Sequence, residues 1–196
     1  MRRFIVIGQR ALASPDFLLD DLAGTSGRLD VLLRALRAAL MVSHGLRTDT
    51  IVYLVLLGGP RAPRTLRFEG ATARFLRPEE RSLATLAKKV LAAPPGGPGF
   101  TLGRPGIAIA EGGLDAVLSD LQGATPYVLE EGAPDVRGAA LDPESAAFFV
   151  GDHLGFDDAT RAALAKAGAT AVGLGPVSVH AEDAVTILVN ELDRRA

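Results

Sequence analysis

Three short segments hold the residue types best suited to grip a small ligand: LEEG at residues 129–132, GDHLGF at 151–156 and LGPVSV at 174–179. Each follows an apolar, strand-like run, and each contains a glycine, which lets a ligand approach the backbone closely. Ligands of parallel α/β sheets bind outside the carboxyl ends of the strands, so these loops are where a site belongs. Taken singly, each is also an ordinary turn. GLGPVS places two glycines at the spacing of a dinucleotide fingerprint. Ser178, however, takes the third position, and no strand follows the last helix to supply the acidic ribose ligand. A P-loop lysine pattern and a GxSxG nucleophile elbow are both absent.

The three histidines, His44, His153 and His180, do not fall at metal-ligand spacing. Asp152, His153 and Asp157 are close enough in sequence to converge on a cation, but the simpler reading makes Asp157 or Asp158 an N-terminal residue of the next helix. His44 reads as a residue favoured at a helix C-terminus. With no cysteine there is no disulfide framework, thiolate metal site or cysteine nucleophile, and no metal is expected. Arg28 and Asp30 in GRLD read, from spacing alone, as an ion pair near a helix N-terminus, where the aspartate favours the dipole.

The elements that must position these residues follow from periodicity. FIVIG at 4–8 and TIVYLVLL at 50–57 are β-rich apolar runs, the second continuous enough to be covered on both faces. Between them, Leu29, Leu32, Leu33, Leu36, Ala39 and Leu40 share one helical face, with Gly45 as the expected C-cap. RTLRFEGATARFL predicts a hairpin turning at Glu69-Gly70, and PEERSLATLAKKVLAA a helix opened by Pro78. Beyond PPGGPG at 94–99, strands and helices alternate to the end. The pattern predicts an α/β protein with a mostly parallel sheet, a single domain over 1–196 with a hairpin insertion or small lobe at about 60–76. No apolar run reaches the roughly 20 residues needed to span a bilayer, and the first apolar stretch is too short for a signal peptide, so a cytoplasmic protein is expected.

Charge is divided along the chain. Residues 1–105 carry sixteen basic against eight acidic side chains, and residues 106–196 carry five against fifteen. A basic half can gain counterion-release energy from a polyanion, although two solvated faces of opposite sign would give the same counts. With aromatics at 5% and no Trp, stacking platforms are expected to be few, which favours folded RNA or duplex gripped by its phosphates and shape.

GTSGRLDVLLRALRAALMVSHGLRTDTIVYLVL, LRPEERS, VGDHLGF and LGPVSVHAEDAVTILVNELD together resemble the archaeal tRNA pseudouridine N1-methyltransferase family called TrmY and its bacterial homologues, in order along nearly the whole chain. The resemblance implies a SPOUT-type fold: a mostly parallel sheet with helices on both faces, a C-terminal trefoil knot and a homodimer. It implies S-adenosyl-L-methionine as cofactor and RNA, most directly tRNA, as partner. Carried over by motif, Leu129, Gly151, Leu174, Gly175, Val179 and Ala184 would line the cofactor pocket. Arg28 and Asp30 would be the catalytic pair, Asp30 orienting or deprotonating N1-H and Arg28 steadying the negative charge. Arg28, Arg34, Glu80 and Arg81 would face the substrate. Many relatives have histidine where this chain has Asp183 and Val189, and some have cysteine at Ala184. A binding protein that keeps the fold without catalysis, or a methyltransferase for pseudouridine in another RNA, are the competing expectations.

Overall fold

The computed structural model describes residues 1–94, 96–97 and 99–196; Pro95 and Pro98, within the expected PPGGPG punctuation, lie outside the described residues. In chain order the elements are β1 (Arg2–Leu12), α1 (Leu22–Thr25), α2 (Leu29–Leu40), β2 (Met41–Val42), β3 (Gly45–Leu46), β4 (Thr50–Gly58), β5 (Arg64–Glu69) and α3 (Glu80–Leu91). They continue with β6 (Thr101–Arg104), β7 (Ile107–Ala110), α4 (Leu114–Asp120), β8 (Thr125–Leu129), a 3-10 turn (Val136–Gly138), β9 (Ala146–Gly151), α5 (Asp158–Lys166), β10 (Thr170–Val172) and α6 (Ala181–Asp193).

Eight strands form one sheet in the order β10-β8-β9-β1-β4-β5-β7-β6. The five from β10 to β4 are parallel, and β5, β7 and β6 extend the sheet antiparallel. Alternation along β1 shows why both faces must be covered. Phe4 and Val6 join a core with α2, α3 and α6, whereas Ile5 and Ile7 join a second core with Val117 of α4 and Leu164 of α5. A central strand buried on both sides needs continuous apolar sequence, and β1 and β4 have it. Helix α2 presents Leu29, Leu32, Leu33, Leu36 and Leu40 to the first core, all fully buried. Each such side chain contributes roughly 1.5–3 kcal/mol of transfer free energy. No helix among the described residues is long and apolar enough to cross a membrane.

Two local expectations are corrected. The hairpin turning at Glu69-Gly70 does not form. Strand β5 pairs with β4 on one side and β7 on the other, and the chain turns away through residues 70–73, held by Ala73 N–H donating to the Glu69 carbonyl at 2.8 Å. IAIA in β7 is buried at all four positions and outcompetes the mixed ATAR segment as the partner of β5. Gly45 does not cap α2 either. That helix ends at Leu40, and Met41 is already extended. The chain then makes the β2–β3 hairpin, so His44 sits at a hairpin turn and not at a helix terminus.

Candidate active site

The carboxyl ends of β8, β9 and β10 open onto a cleft of about 1190 Å³, walled by the three glycine-bearing loops and roofed by α2 and the first turn of α6. Leu129, Gly151, Leu174, Gly175, Val179 and Ala184 all line it, as do Arg28 and Arg34. Asp30 lies behind this wall at 3% exposure. Glu80 and Arg81 lie outside it: Glu80 reaches Arg34 at 3.3 Å, and Arg81 pairs with Asp20.

The three loops are shaped by their own backbone. A Cβ on Gly151 would stand 2.8 Å from the Cα of Gly155, and one on Gly173 would stand 2.5 Å from the Ala133 carbonyl. Asp152, buried, staples the second loop by accepting from Gln9 N–H at 2.9 Å and Leu154 N–H at 2.8 Å. Asp157 caps α5 by accepting from Thr160 N–H at 2.8 Å, as the simpler reading of GDHLGFDD expected. That bond holds its carboxyl below the usual range. The third loop is tied across to the 130–136 segment, Gly173 N–H donating to Pro134 at 2.8 Å and Val136 N–H donating to Gly173 at 2.9 Å. Gly175, at φ 123°, adopts backbone conformations that side-chain-bearing residues rarely reach.

The opposite wall starts with an unusual turn. Ser26 is buried, and its hydroxyl accepts from Leu29 N–H at 3.0 Å, capping α2. Gly27 and Arg28 then both take left-handed backbone conformations, φ 64° and 70°. At Gly27 only glycine fits, because a Cβ would fall 1.8 Å from the Arg10 carbonyl. At Arg28 the conformation is strained by about 1–2 kcal/mol, and it aims the side chain along the cleft.

Asp30 then organises the arginines. It accepts a fork from Arg28, Nε at 2.9 Å and Nη2 at 3.0 Å, and a further bond from Arg34 Nη1 at 2.9 Å. Burial alone would raise the Asp30 pKa, but the two guanidinium groups outweigh it and hold the carboxyl below its usual range. The bond to Asp30 raises the Arg28 pKa in turn. Arg34 is the hinge of a wider network, its Nε donating to Glu182 of α6 at 2.8 Å. Burial disfavours the charge of Arg34, yet Glu182 and Asp30 push its pKa up. Glu182 is lowered: burial opposes ionisation, but its own backbone N–H and Arg34 prevail. Its second oxygen, Oε2, is shielded from solvent and has no hydrogen-bond partner among the described residues.

Sequence reasoning did not single out Glu182 or Arg161. Arg161 lines the cleft and pairs with Glu130. Of the positions expected to depart from relatives, Val189 is buried in the core outside the cleft lining, whereas Asp183 and Ala184 line the cleft.

An eight-stranded, mostly parallel sheet covered on both faces, with a cleft lined by glycine-bearing loops at its carboxyl ends, is an α/β fold of the class that binds ligands at its strand ends. It is similar to that of Archaeoglobus fulgidus Nep1, solved bound to S-adenosylhomocysteine, with a TM-score of 0.68 over 98% of this chain and 97% of that one at 14% identity. The family described as "Putative SAM-dependent RNA methyltransferase" matches residues 1–196, and the chain belongs to it. A Methanosarcina acetivorans protein named tRNA (pseudouridine(54)-N(1))-methyltransferase is 38% identical over 194 residues, 99% of this chain and 92% of that protein. A Halobacterium salinarum protein of the same name is 41% identical over 196 residues, 98% and 96% of the two chains.

The cleft fits the cofactor that this family description names. Leu129, Val150, Leu174, Val179 and Ala184 supply apolar walls, and loop backbone supplies approach for a heterocycle and its ribose. Glu131 and Asp183 supply negative charge suited to a sulfonium and an ammonium group.

Proposed function

We propose that this chain transfers the methyl group of S-adenosyl-L-methionine to N1 of pseudouridine in tRNA, at the position-54 target named for its relatives. The observation that carries the reading is the facing of two walls across one cleft: backbone-lined loops on the sheet side, and Arg28 and Arg34, fixed by Asp30, on the helix side. Bound in the loops, the cofactor supplies an electrophilic methyl group. The protein's own part is alignment and charge. Pseudouridine exposes an N1-H; as N1 takes the methyl group and the demethylated cofactor leaves, that proton passes to solvent water in the open cleft, and its loss spreads negative charge onto the base oxygens. Arg28 donates to that charge from a guanidinium already locked by a two-point fork, so little reorganisation is needed as charge develops. Asp30, with both oxygens engaged and its pKa depressed, is a poor proton acceptor and serves as a positioning residue. Glu80 and Arg81 extend this wall from α3, Glu80 by bracing Arg34.

The same reading includes the knot, the dimer and the compartment. The ties from Gly173 to Pro134 and Val136, and the packing of α6 on α2, support a last segment threaded through the 130–145 loop. Val177, 72% exposed, stands with Leu154 and Val179 as an apolar rim at the cleft that a second copy of the chain would cover. The enzyme would work in the cytoplasm on tRNA.

The test is methyl transfer from labelled cofactor to two T-arm hairpins that differ only in carrying pseudouridine or uridine at the target. Transfer to the pseudouridine hairpin alone is expected. No transfer to any pseudouridine-containing RNA overturns the proposal.

A further inference from the structure

Between β5 and α3 the chain displays a side chain that folding alone does not explain. Phe75 is 84% exposed and sits at φ 63°, one of two non-glycine residues among those described with positive φ; the other is Arg28 in the cleft. A solvated aromatic ring forgoes burial, and the left-handed backbone adds strain, so two separate terms oppose this placement. The surrounding loop is well anchored. Ala73, beside it, is buried and bonded to the Glu69 carbonyl, and Leu76 packs against the main core. Fixing the residues around Phe75 inward turns the ring outward.

The ring stands among cations. Arg74, Arg77 and Arg81 are exposed. Arg74 donates only to backbone carbonyls, and Arg77 makes no salt bridge among the described residues. Arg81 is engaged by Asp20, which brings the segment carrying Leu18, itself 63% exposed, alongside. Glu79 is exposed there too, as are Asp16, Asp20 and Asp21 on the segment alongside. Five residues after Phe75, Glu80 opens α3 and contacts Arg34 on the cleft wall. The loop therefore lies on the side of the cleft that receives substrate.

We infer that Phe75 is a stacking platform for an unpaired base of the RNA substrate, with Arg74 and Arg77 on the flanking phosphates. A flat ring flanked by guanidinium groups matches a nucleobase between two phosphates, and stacking tolerates any base. The inference deepens the proposed function by naming a second contact with the same RNA, outside the methyl-transfer cleft, and it rests on RNA being the substrate.

The chain has no tryptophan, so Phe75→Trp creates a single fluorophore at the point in question. Titrating that variant with a pseudouridine-containing hairpin should quench its emission in step with binding followed by anisotropy of labelled RNA. Phe75→Ala should weaken hairpin binding by about 5- to 150-fold and leave binding to a blunt duplex without unpaired bases unchanged. Phe75→Gly relieves the positive φ, so it should keep or raise the melting temperature while weakening RNA binding equally, which separates recognition from folding. Unchanged emission on RNA binding, an alanine variant within twofold of the parent, or an emission change that follows protein concentration without RNA would each overturn the inference. Quenching by the pseudouridine-containing hairpin, with no methyl transfer to that or any other pseudouridine-containing RNA, would uphold the stacking contact while overturning the proposed reaction.

Discussion

Arg28 is held from two directions, by a left-handed backbone and by a carboxylate fork. Arg28→Ala is expected to lower the single-turnover methyl-transfer rate by about 100-fold or more, with cofactor affinity by calorimetry changed only a few-fold. Arg28→Lys should restore little of this, because an ammonium cannot reproduce the planar fork. Asp30→Asn should lose roughly 1–3 kcal/mol of stability at neutral pH and slow transfer without moving its pH profile; loss of the acidic limb would instead identify Asp30 as the base. The sign of the acid response follows from the depressed pKa. The unfolded chain takes up the Asp30 proton first, so its contribution is full above about pH 4 and is lost as the pH falls through the lower folded value. The gap in stability between parent and Asp30→Asn should therefore shrink below pH 4 in chemical unfolding. At this scale the sequence made the Arg28–Asp30 pair legible, since two residues apart at a helix start is a short-range signal. It could not show that Arg34 and Glu182, 148 residues apart, complete the network, because that contact exists only once α6 lies on α2.

The turn at residues 26–28 is the element on which the catalytic wall depends. Gly27→Ala would drive a methyl group into the Arg10 carbonyl and impose a left-handed conformation on alanine. A fall in melting temperature is expected, accompanied by a larger loss of transfer than of stability, because Arg28 moves with the turn. In α6, which packs on α2, Leu188 is fully buried, and Leu188→Ala should cost about 2–5 kcal/mol in denaturant unfolding. Elements with strong periodicity were legible: the leucine face of α2, the two-sided run of β4 and the three strands that end in the cleft loops. Those that failed were decided by competition. RTLRFE is a strand under any reading, but its second partner was settled by the more apolar β7 about 40 residues on, and not by the nearer ATAR. The helix–hairpin boundary after Leu40 failed for a similar reason, with the Arg47 N–H donating to the Leu40 carbonyl at 2.8 Å from outside the helix.

Across the whole molecule, the charge division seen in the sequence is partly an internal fastening. Arg2 and Arg47 meet Asp193, Arg34 meets Glu182, buried Arg64 meets Glu111, and Arg67 meets Asp120, each pairing the basic half with the acidic half. Composition could not distinguish arginines spent in this way from those left for a polyanion, such as Arg74 and Arg77. Burial opposes ionisation of Asp193, but Arg2 and Arg47 hold its pKa down. Asp193→Asn should remove about 1–2 kcal/mol at neutral pH, read from urea unfolding. The pairing of Arg2 with Asp193 also sets residues far apart in sequence side by side, and β1 lies between β9 and β4. A ribosome therefore delivers this middle strand long before one of its immediate neighbours, which is complete only at residue 151. Until then the nascent chain carries an open strand edge, and the cleft can be assembled only once α6 has been made.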